Sequence, residues 1–279
     1  MIDYIGSVKG AIYGFALGDA IGATTEFMSR QAIASQYGRV EDVIGGGWLD
    51  LQAGQVTDDT QMMLCVYKGI KRNPENPLSG ICKEFHDWFN SNPIDIGTAC
   101  RRAIMSAKTD DPDEWIEKSI ERQRLGKMDY GNGGLMRCLV PCIMGTFELA
   151  VNQSRLTHAN ATCDEAISLY DHTLWAAIRG EKPYLTNHMK PSGHVWNTMT
   201  NARFWFNCTN SFRNAVIEAV NDGGDADTIA ALVGGLAGAY YGIDSIPESW
   251  ILKLKEDVRE SLEECCDFIL QQGGFQMKT

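Results

Sequence analysis

The sequence predicts one all-α domain of a dozen or so helices. Three observations carry that expectation. Apolar residues recur at helical spacing through most of the chain. No long apolar–polar alternation and no Asn-Gly hairpin between β-branched runs is found, so strand signals are nearly absent. Glycines form two regular series, Gly10, Gly14, Gly18 and Gly22, and then Gly234, Gly238 and Gly242, each confined to one stripe of an apolar helix.

Taken in chain order, the periodicity predicts helices over about 6–24, 59–71, 78–90, 97–107, 112–124 and 133–149. Later ones are predicted over about 163–179, 195–207, 211–221, 225–241 and 248–271. The breaks between them carry helix-ending residues: Pro74 and Pro77, Pro93, the glycines at 131–134, Pro183, Pro191 with Gly193, Gly223 with Gly224, and Pro247. No linker or composition shift divides the chain, so residues 1–279 are expected to form a single domain. A glycine inside a helix costs about 1 kcal/mol against alanine, so two glycine stripes need a cause. Close backbone approach supplies one, and the two striped helices are expected at the centre of the bundle, against each other.

Composition narrows the function. Hydrophobic residues at 44% and charged residues at 22% exclude a disordered or collagen-like chain. A net charge of −11 makes DNA or RNA a poor partner. The N-terminus lacks a basic region followed by an apolar one, and acids interrupt the most apolar segments, so neither a signal peptide nor a membrane span is expected. Nine scattered cysteines without a CxxC argue against a disulfide framework or a zinc ribbon and fit a reducing cytoplasm. Cys138 and Cys142, one helical turn apart, read as buried small hydrophobes.

Two segments group carboxylates at helix starts. The first, GQVTDDT at 54–60, contains Thr57, Asp58, Asp59 and Thr60. The second, GGDADT at 223–228, contains Asp225, Asp227 and Thr228. Helix capping accounts for one Asp or Thr per helix. Grouped like charges are unfavourable unless a cation neutralises them, and an all-oxygen donor set suits Mg²⁺ or Mn²⁺. Spacing alone leaves capping and a dimetal site both open. Glu26, just past the first helix, is a surface acid or a group beside such metals. The turn GNGGLMR at 131–137 is a tight turn or a phosphate cradle.

Together these segments resemble the ADP-ribosylglycohydrolase family. The resemblance runs from about residue 10 to about residue 270 and includes GDAIGATTEFM, GGGW, GQVTDDTQM, PIDIGTACRR, GNGGLMRC, Thr157-His158 and GGDADTIAALVGGLAGAYYG. It implies a compact, orthogonal multi-helix bundle with two divalent ions, Mn²⁺ or Mg²⁺, in a cleft. It implies hydrolysis of the N-glycosidic bond between ADP-ribose and a protein arginine, with ADP-ribose as product. Metal ligation falls on Thr57, Asp58, Asp59, Asp225, Asp227 and Thr228. Glu26 and Asp95 are the implied proton-transfer candidates, between which the sequence does not choose. Asn132, Gly133 and Gly134 fall in the pyrophosphate-binding turn, His158 in the segment lining the ADP-ribose site, and His194 where an aromatic is common. The branch most resembled implies the nitrogenase iron protein as modified partner. A dimetal hydrolase of free ADP-ribose-like nucleotides and a non-catalytic ADP-ribose binder or immunity protein are the rival expectations.

Overall fold

The computed structural model describes residues 3–125, 130–184 and 187–272. Among them are fourteen α-helices: α1 (Tyr4–Gly22), α2 (Arg30–Tyr37), α3 (Asp58–Arg72), α4 (Pro77–Asn90), α5 (Thr98–Ser106), α6 (Pro112–Arg124), α7 (Leu139–Ile143), α8 (Phe147–Arg155), α9 (Ala161–Ile178), α10 (Val195–Cys208), α11 (Phe212–Asp222), α12 (Ala226–Tyr241), α13 (Glu248–Ile251) and α14 (Glu256–Gln271). No strand occurs among the described residues; two isolated bridges join Gly46 to Leu51 and Gly131 to His194.

The glycine stripes place α1 and α12. A Cβ on Gly10 would stand 2.2 Å from the Gly238 carbonyl oxygen, and one on Gly14 2.3 Å from that of Gly234. The series continues with Gly18 against Ala230 and Gly22 against Ala226, so the two helices run antiparallel with their backbones in contact. Only glycine permits that approach. Both helices are apolar on all sides, as a helix at the centre of a bundle must be. Sixteen of the 19 residues of α1 and 14 of the 16 of α12 are buried. α9, α10, α11 and α14 pack around this pair, and α3 joins it with α4 alongside.

Two predicted helices are corrected and one helix is added. The expected helix over 133–149 is a 3₁₀ turn at Asn132–Gly134 followed by α7 and α8. Pro141 cannot extend a helix behind it, and Gly145 turns the chain at φ +67°. The expected helix over 248–271 breaks between α13 and α14, where the Lys255 N–H donates to the Gly54 carbonyl at 3.2 Å and Leu254 is buried. α2 was not expected: it is short, and Ile33 is its one buried residue, so its apolar periodicity is weak. No described helix is long and apolar enough to cross a membrane. All nine cysteines are free thiols, and Cys138 and Cys142 are buried.

Candidate active site

The antiparallel core pair creates the site. It sets the C-terminus of α1 beside the N-terminus of α12, so Glu26, in the turn after α1, meets Asp225 and Asp227, which open α12. One carboxylate oxygen from each of these three lies within 4.8 Å of the others. The turn carrying Glu26 is tied down on both sides. Thr25 donates to the Val220 carbonyl at 2.6 Å, and the Phe27 N–H to the Gly224 carbonyl at 2.6 Å. Trp48 Nε1 donates to Glu26 Oε2 at 2.6 Å.

α3 delivers the other two acids. Its N-terminus is held by Asp19, a fully buried carboxylate of α1. Asp19 accepts from the Thr57 N–H at 3.1 Å, the Thr57 hydroxyl at 2.8 Å and the Thr60 N–H at 3.0 Å. Asp58 and Asp59 then point into the cleft from the first turn. Asp58 accepts from the Gly97 N–H at 3.0 Å, and Asp59 Oδ2 from the Thr228 hydroxyl at 3.2 Å.

Among the described residues no ion pair reaches Glu26, Asp58, Asp59, Asp225 or Asp227. Burial first and neighbouring carboxylates second therefore raise their proton affinities. Asp58 is pushed to about 7, with Asp95 the main neighbour. Glu26 is pushed to about 8 despite the Trp48 hydrogen bond. Asp59 and Asp227 stand well above the usual carboxylate range, and Asp225 is raised, partly relieved by the Asn132 amide. Asp59 Oδ1 is buried and has no hydrogen-bond partner. An orphaned carboxylate oxygen among crowded acids and hydroxyls is a donor set suited to hard divalent cations.

The opposite wall is the 131–134 turn. Asn132 donates its amide to Asp225 Oδ2, and to the Thr198 hydroxyl at 3.0 Å, which locks the turn to the acidic cluster. His158 stands behind it, buried. Arg137, fully buried, donates to Gln153 Oε1 at 2.8 Å, to the Gln153 carbonyl at 2.9 Å and to the Thr157 hydroxyl at 2.8 Å. Thr157 Oγ1 lies 2.7 Å from His158 Nδ1. A guanidinium only donates, so the Thr157 hydroxyl accepts from Arg137 and shares its remaining lone pair and its proton between the His158 ring and the Ser154 carbonyl, 3.4 Å away. Nε2 is the His158 ring nitrogen nearest Gly131. Burial, with the charges of Arg137 and Arg122, pushes His158 down to about 3, so its ring is neutral.

These walls enclose a cleft of about 610 Å³, lined among others by Glu26, Asp58, Asp59, Asp95, Asn132, Gly133, His158, Asp225, Asp227 and Thr228. Three expected site residues do not line it. Thr57 is buried one step behind Asp59, between it and Asp19. Gly134 faces Ser154, whose side chain a Cβ there would strike. His194 caps α10 and stacks on Tyr130, ring centroids 5.5 Å apart, so Tyr130 and not His194 presents a ring to the cleft. Sequence reading missed Asp19, Tyr130 and Arg137 as site-building residues. The signals were an acid inside an apolar helix and an arginine entering an apolar one. It also gave no role to Phe27 and Trp48 at the rim.

An all-α fold that gathers an acidic cluster, a glycine turn and a neutral histidine around one cleft has the form of a glycohydrolase. The chain belongs to the ADP-ribosylglycohydrolase family, whose sequence profile matches residues 2–202 and 184–277. It is 35% identical to the ADP-ribosyl-[dinitrogen reductase] glycohydrolase of Rhodospirillum rubrum, over 95% of this chain and 96% of that protein. It is 30% identical to the ADP-ribosylarginine hydrolase Tri1 of Pseudomonas putida, over 88% of this chain and 73% of Tri1. A solved structure described as an ADP-ribosylglycohydrolase-related protein complex superposes with a TM-score of 0.79 at 28% identity, covering 97% of this chain and 99% of that one.

Proposed function

We propose that this chain, acting as one domain over residues 1–279, hydrolyses the N-glycosidic bond between ADP-ribose and an arginine side chain of a modified protein, with Mn²⁺ or Mg²⁺ bound. The observation that carries this reading is the uncompensated cluster of Glu26, Asp58, Asp59, Asp225 and Asp227, with its orphaned Asp59 oxygen, in the same cleft as the Asn132–Gly133 turn. Asp58, Asp59, Asp225, Asp227 and Thr228 would hold the ions. Thr57, expected as a ligand, instead orients Asp59 from behind, its hydroxyl accepting from the Asp59 N–H and donating to Asp19. Bound divalent ions supply Lewis acidity, neutralise the cluster and orient ribose hydroxyls and water.

The chain's own groups do the rest. The 131–134 turn donates to the pyrophosphate, which would otherwise be repelled by the acidic wall, and the neutral His158 ring lines the same part of the cleft. Asp95, on the outer wall, accepts from ribose. Glu26, ionised once the charge of the neighbouring acids is neutralised, takes a proton from the attacking water and delivers one to the guanidine nitrogen as the bond from C1″ to nitrogen breaks. ADP-ribose and unmodified arginine are the products. The R. rubrum relative makes the nitrogenase iron protein a candidate target, and with it a role in regulating nitrogen fixation.

The test is release of ADP-ribose from an ADP-ribosyl-arginine protein, compared with ADP-ribosyl-serine and free ADP-ribose as substrates. Wild type should turn over the arginine adduct only with a divalent cation present, and Asp59→Ala or Asp227→Ala should abolish release. Turnover that survives chelation would falsify the metal assignment. Turnover of free nucleotide alone would make the enzyme a nucleotide hydrolase, and tight ADP-ribose binding without turnover would make it a binder.

A further inference from the structure

Two aromatic side chains stand at the mouth of the cleft. Phe27 is 68% exposed and Trp48 55% exposed, and both line the cleft. Their ring centroids are 5.6 Å apart and the planes are tilted by 42°. Exposed rings are usually mobile, but Phe27 is held by a strained backbone and Trp48 by its hydrogen bond to Glu26 and a close-packed glycine loop. Phe27 has φ +60°, a left-handed value that a bulky residue adopts at a cost of about 1–2 kcal/mol. Its N–H donates to Gly224, and the Gly224 N–H donates back to the Met28 carbonyl at 2.9 Å. Trp48 follows three consecutive glycines, Gly45, Gly46 and Gly47, all at positive φ. A Cβ on Gly47 would lie 2.2 Å from the Ala23 carbonyl oxygen, so that loop is pressed onto the turn leading to Glu26. Backbone strain held in place at an exposed Phe27 points to a functional role.

The chemistry of the neighbourhood identifies what the rings meet. The Trp48 N–H is already engaged by Glu26, which leaves only its π face for a ligand. The adjoining wall is carboxylate, which favours a cation. The tilt makes a wedge, not a parallel slot for a neutral base. A planar, delocalised guanidinium fits both a ring face and a carboxylate wall. Glu26 also joins this wedge to the acidic cluster, so the bond to be cleaved lies next to it.

We propose that Phe27 and Trp48 form the subsite that recognises the guanidinium of the arginine leaving group, by cation–π contact, and so set the enzyme's preference for arginine adducts. This rests on the arginine-hydrolase reading above. Wild-type turnover of an ADP-ribosyl-arginine peptide is therefore measured first, because its absence overturns that reading before any variant is made. Phe27→Ala, Phe27→Tyr and Trp48→Phe are then compared with wild type for kcat and KM on the peptide, and for the Kd of free ADP-ribose by calorimetry with Mg²⁺ present. Phe27→Ala should raise KM about 5- to 30-fold, which corresponds to about 1–2 kcal/mol at about 1.4 kcal/mol per decade. Its Kd for ADP-ribose, which carries no guanidinium, should stay within about twofold. Phe27→Tyr, which keeps the ring, should restore KM. Trp48→Phe keeps a ring but releases Glu26, so kcat should fall more than KM rises. Equal weakening of peptide and ADP-ribose by Phe27→Ala would assign the wedge to the nucleotide and overturn the proposal. So would a Phe27→Ala enzyme with unchanged KM.

Discussion

Asp19 shows how one side chain decides where others point. It lies near the end of α1, and both its oxygens face the start of α3, where they accept from Thr57 and Thr60. Burial raises its proton affinity and these hydrogen bonds lower it. An amide at this position keeps one acceptor and turns two N–H groups toward the N–H groups of α3. Asp19→Asn should therefore displace Asp58 and Asp59 and weaken Mn²⁺ binding by about 10- to 100-fold, the usual effect of losing a group that orients a metal ligand. Titration calorimetry with Mn²⁺ on the two proteins measures this, and unchanged affinity would remove Asp19 from the site. The grouped acids were readable because neighbours in sequence share a helix start: Asp58 with Asp59, and Asp225 with Asp227. Asp19 was not readable, since a lone acid in an apolar helix shows its partner only once α3 is placed against it. Trp48 was hidden for the same reason. Its hydrogen bond reaches Glu26 across 22 residues.

At the level of elements, the glycine stripes were the most informative signal in the chain. Glycine at every fourth position has no local advantage in a helix, so only a tertiary contact explains it. That contact sets the antiparallel α1–α12 pair, and the pair in turn carries Glu26 to Asp225 and Asp227. A Cβ on Gly238 would stand 1.9 Å from the Gly10 carbonyl oxygen, and neither backbone can retreat from a core packed on all sides. Gly238→Leu should cost at least the ~1–3 kcal/mol typical of overpacking, and more where backbone must separate. The melting midpoint should fall by several degrees. Nothing lies within 4 Å of a Cβ on Gly180, so Gly180→Ala should show only the milder penalty of its left-handed φ of +75°. Equal midpoints for Gly238→Leu and wild type would refute the packing argument. The misread elements fail for local reasons. α2 has little apolar periodicity, and the breaks at Gly145 and at 252–255 depend on where the chain must turn to meet other elements.

For the molecule as a whole, the cleft couples folding to pH and to cations. Burial raises the proton affinity of Asp19, Glu26, Asp58, Asp59, Asp95, Asp225 and Asp227 in the folded state. In the unfolded chain such groups ionise near ~4. Folded Asp58 and Glu26 ionise at about 7 and about 8. Between those limits the folded state binds more protons than the unfolded one, so the free energy of unfolding falls as pH rises. The stability these acids contribute is fully present below about pH 4 and is lost as pH climbs through 7 to 8. His158 acts in the opposite sense. Its folded pKa of about 3 lies below its unfolded value, so its contribution is present above about pH 6.5 and lost as pH falls toward 3. One histidine does not offset seven acids, and a net charge of −11 adds self-repulsion at high pH. Protein held in chelator should therefore melt at progressively lower temperature from about pH 5.5 to about pH 8.5. A divalent cation takes the place of the bound protons, so its stabilisation must grow over the same interval. At a hundredfold excess over Kd it adds about 2.7 kcal/mol, or roughly 5–10 °C in melting midpoint. Melting curves at several pH values, with EDTA and with Mn²⁺, test both slopes at once. A Mn²⁺ shift that is independent of pH, or a chelated protein that gains stability on the alkaline side, would mean that the acidic cluster is not the cation site. Asp59→Ala should lose most of the Mn²⁺ shift, because it removes a buried cluster oxygen left without a partner.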